Sequence, residues 1–374
     1  MRLIYAASEH CADLWYESGF SAPDAFLWVE TPCEKAIVVS ALEYGRATKQ
    51  ARSDVKVLNN DEARELWGIA KETPMTIVNI IAGISKKYSD WSWQVPYSLP
   101  YGLAAALTTA GVKLSVLSPF SPGRIVKTAE EVEKIRHGVE LAEAGLYRGF
   151  DVLREATVNC DGILEWNGEI LTAEILRGEV DMAIAKRGGT ASQTITAPGV
   201  QGADPHQTGH GPIHANEPIV MDIFPRCDAT GYFGDLTRTV VKGHASDVVK
   251  RAFEAVYRVQ REAIDMIKPG VIGGDVHNHV ANALTAAGYP TDSACKPPHG
   301  FFHGLGHGLG LEIHESPSLS PRYDKPLAPG HVVTVEPGVY YPEWGGIRIE
   351  DVVVVTEDGC EDLTTAPVFL ELNA

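Results

Sequence analysis

Four acidic side chains in the second half of the sequence sit among residues that favour buried strands. Asp222 follows Ile219-Val220-Met221. Asp235 precedes Leu236 and the run Thr239-Val240-Val241. Glu336 follows Val332, Val333 and Val335, and Glu350 lies between Ile349 and Val352–Val355. An ionised carboxylate is costly to bury without a counter-charge. Few basic residues are close in sequence, Arg238 and Arg348 being the exceptions. Two divalent cations would carry four positive charges and balance the set. The segment FFHGLGHGLGLEIHE (301–315) lies between the two acidic pairs and holds His303, His307 and His314. A neutral imidazole can fill a coordination position without disturbing that balance. Carboxylates with one histidine suit Mn, Co, Fe or Zn. Two metals about 3.5–4 Å apart can turn a shared water into a nucleophile at neutral pH.

Each piece alone has an ordinary structural reading: a strand-edge Asp, a Glu at a strand end before proline, a Gly-His-Gly turn. The joint pattern carries the inference. His299, His303 and His307 have helical spacing, but a glycine follows each, which argues against a helix. His303 is therefore read as a supporting residue rather than a ligand. There is no GxSxG, GxxxxGK[ST] or HExxH motif, and Gly304–Gly310 does not fit GxGxxG.

Together these residues resemble the pita-bread metallopeptidases, the family of methionine aminopeptidase, Xaa-Pro aminopeptidase and prolidase. The matching blocks are Asp222, GDLTRT (234–239), GHGLGLEIHE (306–315), VTVEPGVY (333–340) and RIED (348–351). The resemblance covers roughly residues 125–374. GFSAPDAFLWV (19–29) resembles the creatinase-like N-terminal domain of the family more loosely. The resemblance implies an α+β fold, with a C-terminal pita-bread domain (126–374) behind a smaller α/β creatinase-like domain (1–125).

It also implies a ligand set for two divalent metal ions: Asp222 on one metal, Asp235 and Glu350 bridging, His307 on the other. Glu336 is then a ligand that also handles a proton. Manganese is the first expectation, with Co, Zn or Fe as alternatives. His314 matches a histidine that contacts substrate, and His206 in DPHQTGHG (204–211) matches an upstream histidine, with His210 a rival. Arg348 matches an arginine of the proline-specific branch. The implied activity is exopeptidase cleavage of Xaa-Pro bonds through a metal-bridging hydroxide, on a peptide or dipeptide with proline second. The alternatives are a metal-dependent lyase, another non-peptidase hydrolase on this fold, or a non-catalytic relative. Two departures stand out. Twelve residues, 223 to 234, separate the aspartates where about ten are usual, which makes Asp228 an alternative to Asp222. Gly234 replaces the usual serine and is expected to be tolerated.

Two proposed hairpins must position the acids. Pro218–Pro225 and Gly231–Val241 carry the aspartates; His331–Tyr341 and Gly346–Thr356 carry the glutamates. A capping box, Thr128 to Glu131, opens a helix running to about Arg154. Further helices are expected at Thr172–Lys186, Asp247–Ile267 and Asp275–Ala287. The order helix, helix, strands thus recurs. In the N-terminal part, strands are expected at Ala25–Val29, Lys35–Val39 and Lys113–Leu117, and helices at Asp61–Lys71 and Leu103–Ala110. SPFSPGRIVKT (118–128) reads as a linker.

Composition supports this frame. Over 374 residues, 32 Lys+Arg against 49 Asp+Glu give a net charge of −17, which argues against nucleic acid and anionic lipid as partners. Six scattered cysteines without a CxxC pair read as free thiols of a reducing compartment. No apolar run predicts a membrane span, and no signal peptide is evident. A cytoplasmic homodimer is the expected setting.

Overall fold

The computed structural model describes residues 1–372. Contacts divide the chain into two units, Met1–Arg124 and the remainder from Ile125.

The first unit is built on six strands: β1 (Arg2–Ala6), β2 (Phe26–Glu30), β3 (Lys35–Val38), β4 (Val55–Leu58), β5 (Ser92–Val95) and β6 (Lys113–Val116). Their order is β4-β3-β2-β1-β5-β6, with β1, β2 and β3 antiparallel and the outer pairings parallel. Successive side chains of a strand point to opposite faces, and here both faces are covered. Leu3, Leu27 and Val29 pack with Trp67, Ile81 and Trp93 on one side. Ile4, Trp28 and Ile37 pack with Leu14, Phe20 and Phe120 on the other. The expected helix at Asp61–Lys71 is shorter, Asn60–Trp67. Gly68, in the left-handed region at φ 63°, ends it and donates its N–H to the last carbonyls.

The second unit opens with the helix Ala129–Glu155. Thr128 Oγ1 accepts from Glu131 N–H at 3.3 Å, and Glu131 Oε2 accepts from Thr128 N–H at 2.9 Å. The helix Ala173–Ala185 packs beside it. A four-stranded sheet follows, ordered Ile195–Pro198, Pro218–Ile223, Leu236–Lys242 and Glu371–Leu372. The helices Asp247–Met266 and Gly273–Ala286 come next. A five-stranded sheet then takes the order Glu315–Leu319, Gly306–Gly308, Val332–Val335, Asp351–Val355 and Cys360–Asp362. One apolar cluster lies under each sheet, around Leu146 and Met221 and around Val256 and Val333. Helix, helix, strands does recur. No helix among the described residues is long and apolar enough to cross a membrane.

Two local features shape the acid positions. Gly138 on the long helix lies backbone to backbone against Gly234. A Cβ on Gly234 would fall 2.1 Å from the Gly138 backbone, and one on Gly138 would fall 2.6 Å from Gly234 N. Glycine at 234 is therefore a packing requirement, and it fixes the residue before Asp235. The second feature corrects the expected glutamate hairpin. Its arms do not form one ladder. Val332–Val335 pairs with Asp351–Val355, while Gly338–Tyr341 pairs separately with Gly345–Arg348. The breaks fall at Glu336-Pro337 and Ile349-Glu350. Proline has no N–H to give a ladder, and both glutamates turn their amides elsewhere: Glu336 N–H to Leu305 O at 2.8 Å, Glu350 N–H to Thr237 O at 3.1 Å.

Candidate metal centre

The strand pairing Pro218–Ile223 with Leu236–Lys242 sets Asp222 opposite Thr237. Directly paired residues share a face of the sheet, and Asp235 lies two residues before Thr237. Asp222, Thr237 and Asp235 therefore point to one side. Glu336 and Glu350 enter from the two breaks, and His307 from the middle of Gly306–Gly308. A Cβ on Gly306 would sit 1.9 Å from Thr334 O, so only glycine lets this strand come so close. The side chains surround a cavity of about 740 Å³, which His206, His303, His314 and Arg348 also line.

His307 gives the decisive geometry. Its Nδ1 lies 3.2 Å from Gly308 O. A carbonyl only accepts, so Nδ1 carries the hydrogen. Burial drives the imidazole pKa down to about 3, which leaves the ring neutral. Nε2 therefore presents a lone pair, and it faces Asp235 Oδ2 at 3.6 Å and Glu336 Oε1 at 3.4 Å. Donor atoms of Asp235, His307 and Glu350 all lie within 4.8 Å of one another. Lone pairs facing each other in a buried place need a proton or a cation between them, and the donor set of one imidazole and several carboxylates suits a divalent cation. The residues thus fit a divalent metal site.

The carboxylates tell the same story. Burial, together with the negative charges of Asp222 and Glu336, holds Asp235 well above the usual carboxylate range. Glu350 is raised by burial and then by Asp235, Glu336 and Asp222. Burial pushes Glu336 up to about 8 although Arg348 opposes it. Each acid would release its proton to bind a metal.

Hydroxyls orient the set. Thr237 Oγ–H donates to Glu350 Oε2 at 2.7 Å and accepts from Arg348 Nε at 3.2 Å. Thr334 Oγ–H donates to Glu336 Oε1 at 3.3 Å and accepts from His307 N–H at 3.0 Å. Arg348 also donates to Asp222 Oδ2 at 2.5 Å, to Tyr340 Oη at 3.0 Å and to Pro205 O at 3.4 Å. The substrate contact expected of Arg348 would have to replace one of these bonds.

His303 bonds Tyr340 Oη at 2.9 Å and Gly304 O at 2.7 Å, which suits a supporting role. The His314 ring meets His307 edge to face, 4.3 Å between centroids. His206 lines the cavity; His210 does not. Asp228 is remote: it is exposed and accepts from Thr190 Oγ–H at 2.6 Å. Of the two candidates for the first acid, the fold brings Asp222 into the cavity. Sequence reading missed Phe224, Thr237 and Thr334. Each stands two positions from an acid, at 222, 235 and 336, so strand alternation was the available signal.

Comparison with known proteins adds an independent line. The model of metallopeptidase family M24 matches residues 133–357. An uncharacterized peptidase of Bacillus subtilis is 34% identical over 266 residues, 69% of this chain and 71% of its own length. A Pyrococcus furiosus protein named Xaa-Pro dipeptidase is 31% identical over 248 residues, 64% of this chain and 63% of its own. Among solved structures, the prolidase from Pyrococcus horikoshii is 25% identical with a TM-score of 0.79, covering 99% of this chain and 94% of that one. An X-Pro aminopeptidase from Thermotoga maritima is 25% identical with a TM-score of 0.82, covering 99% and 96%.

Proposed function

The chain belongs to metallopeptidase family M24 and has its pita-bread fold, and from that premise we propose that it is an exopeptidase cleaving Xaa-Pro bonds. The carrying observation is the His307 lone pair aimed at Asp235 and Glu336 inside a buried cluster of acids. The ligands we assign are Asp222, Asp235, His307, Glu336 and Glu350, for two divalent ions. Manganese suits a set in which oxygen donors dominate. Bound there, the ions would supply Lewis-acid polarisation of the scissile carbonyl and a nucleophile at neutral pH.

The chain's own groups do the rest. Glu336, ionised once a metal is bound beside it, is the group to accept a proton from the attacking water and deliver it to the leaving imino nitrogen. The scissile nitrogen needs that proton, because an amide nitrogen leaves as an amine and not as its anion. His314 and His206, at the cavity wall, are placed to donate to the charge that develops on the carbonyl oxygen and to the substrate backbone. Ile195, Phe224, Phe302 and Ile313 contribute apolar lining to the cavity, which suits a pyrrolidine ring. Thr237 and Arg348 hold Glu350 and Asp222 in place.

The test is a peptide panel on protein reloaded separately with Mn, Co, Zn and Fe. Hydrolysis of Xaa-Pro dipeptides or longer Xaa-Pro peptides is expected. Turnover only of peptides without proline second would overturn the specificity. The name Xaa-Pro dipeptidase borne by a relative points to dipeptide substrates for this chain, and the resemblance favours a homodimer, which sedimentation would check.

A further inference from the structure

A second cluster of metal-ligating atoms lies in the loop TDSACKPPHG (291–300). Asp292 and His299 face each other across it. Asp292 N–H donates to His299 O at 3.0 Å, and His299 N–H to Asp292 O at 3.2 Å. Asp292 Oδ1 accepts from Ala294 N–H at 2.9 Å and Cys295 N–H at 3.3 Å. That turn brings the thiol back, and Cys295 Sγ–H donates to Asp292 Oδ2 at 3.2 Å. The His299 ring is set by stacking on Tyr341, 5.3 Å between centroids at 29°. A carboxylate oxygen, a sulfur and an imidazole nitrogen thus converge within 4.8 Å of one another. None of the three residues lines the cavity described above.

We propose that Asp292, Cys295 and His299 form a separate site for one borderline-soft divalent cation, zinc in the first instance. The donor set is S, N and O, which favours zinc over the hard ions that suit carboxylates alone. The spacing Asp-x2-Cys-x3-His lies in the range of short loops that hold zinc. Three protein ligands leave a fourth position for water. The hydrogen now shared by thiol and carboxylate occupies the place the cation would take. Binding breaks the S–H bond, leaves thiolate on the metal and releases one proton to solvent. The ion would tie Asp292 to His299 at the base of the loop. The next residue, Gly300, is bonded to Tyr340 in both directions, at 3.0 and 3.2 Å. Phe302 and His303 follow and line the cavity. A cation in the loop would therefore fasten one wall of the metal centre from outside.

Cobalt titration of the full chain tests this. Only a thiolate ligand gives cobalt an intense near-ultraviolet charge-transfer band, and no cysteine lines the carboxylate cavity. One such band, saturating at one ion per chain and displaced by zinc, is expected. It should persist in Glu350→Gln, vanish in Cys295→Ser, and require more than about tenfold higher cobalt in His299→Ala. Absence of the band, or its survival in Cys295→Ser, overturns the site. Unchanged cobalt affinity in His299→Ala overturns the three-ligand assignment.

Discussion

Glu350 and Asp351 are neighbours, and each is 2% exposed, yet they live in opposite electrostatic surroundings. Glu350 closes the break just before the strand Asp351–Val355, and the two side chains meet different partners. Asp351 meets Arg238 at 2.8 Å, Gln260 Nε2 at 2.7 Å and Arg261. Its counter-charge is part of the chain. Glu350 meets Asp235, His307 and a threonine hydroxyl, and its counter-charge has to come from solution. Equal burial therefore does not mark a metal ligand. What stands across the strand does.

Four measurements bear on that contrast. Glu350→Gln should lower kcat by about 10³–10⁴-fold, or about 4–5.5 kcal/mol, because the proposed metal ligand acts on the reacting centre. Its metal-free unfolding midpoint should hold or rise, since a buried acid crowded by Asp235, Glu336 and Asp222 is gone. A variant with full activity would remove Glu350 from the centre. Asp351→Ala is the reverse case. It strands Arg238 as a buried charge and should cost about 3–5 kcal/mol in denaturant unfolding; a loss within the noise would mean that Arg238 finds water instead.

The third measurement concerns pH. Glu336 is raised to about 8 from 4.5. A folded state that binds a proton more tightly than the unfolded chain loses stability as pH rises between those values. Chelated protein should thus melt at a lower temperature near pH 8 than near pH 5. Divalent metal at about 100 times its Kd should restore about 2.7 kcal/mol and flatten the slope. Calorimetry that finds the same slope with and without metal would count against the shared site. The smallest effect is expected at Thr237→Val, which removes the hydroxyl between Arg348 and Glu350. A stability loss of about 1 kcal/mol should accompany a shift in kcat larger than that in KM.

Patterns confined to a few consecutive residues were legible in the sequence. The capping box at Thr128 and Glu131 and the aspartate hairpin arms belong to that class, as does the acidic pairing itself. Long-range consequences were not. Parallel pairing of β1 with β5 joins residues some ninety positions apart and leaves no local mark. The twelve-residue spacing left Asp222 and Asp228 open; the register with Thr237 and the lining of the cavity separate them. That Arg348 is engaged by Asp222, Tyr340 and Thr237 depends on three elements meeting, which no motif encodes. The break at Glu336 was half visible in Pro337, but the matching break at Glu350 has no proline to announce it.

The contact of Gly138 with Gly234 has a mechanical consequence. The helix Ala129–Glu155 has 27 residues and is about 40 Å long. It is a rod touching the chain one residue before Asp235, with no side chain between to absorb movement. The backbone of that rod at Gly138 therefore sets how far the chain before Asp235 can approach the helix. Either glycine replaced by alanine would drive a wedge between the helix and the residue that precedes Asp235.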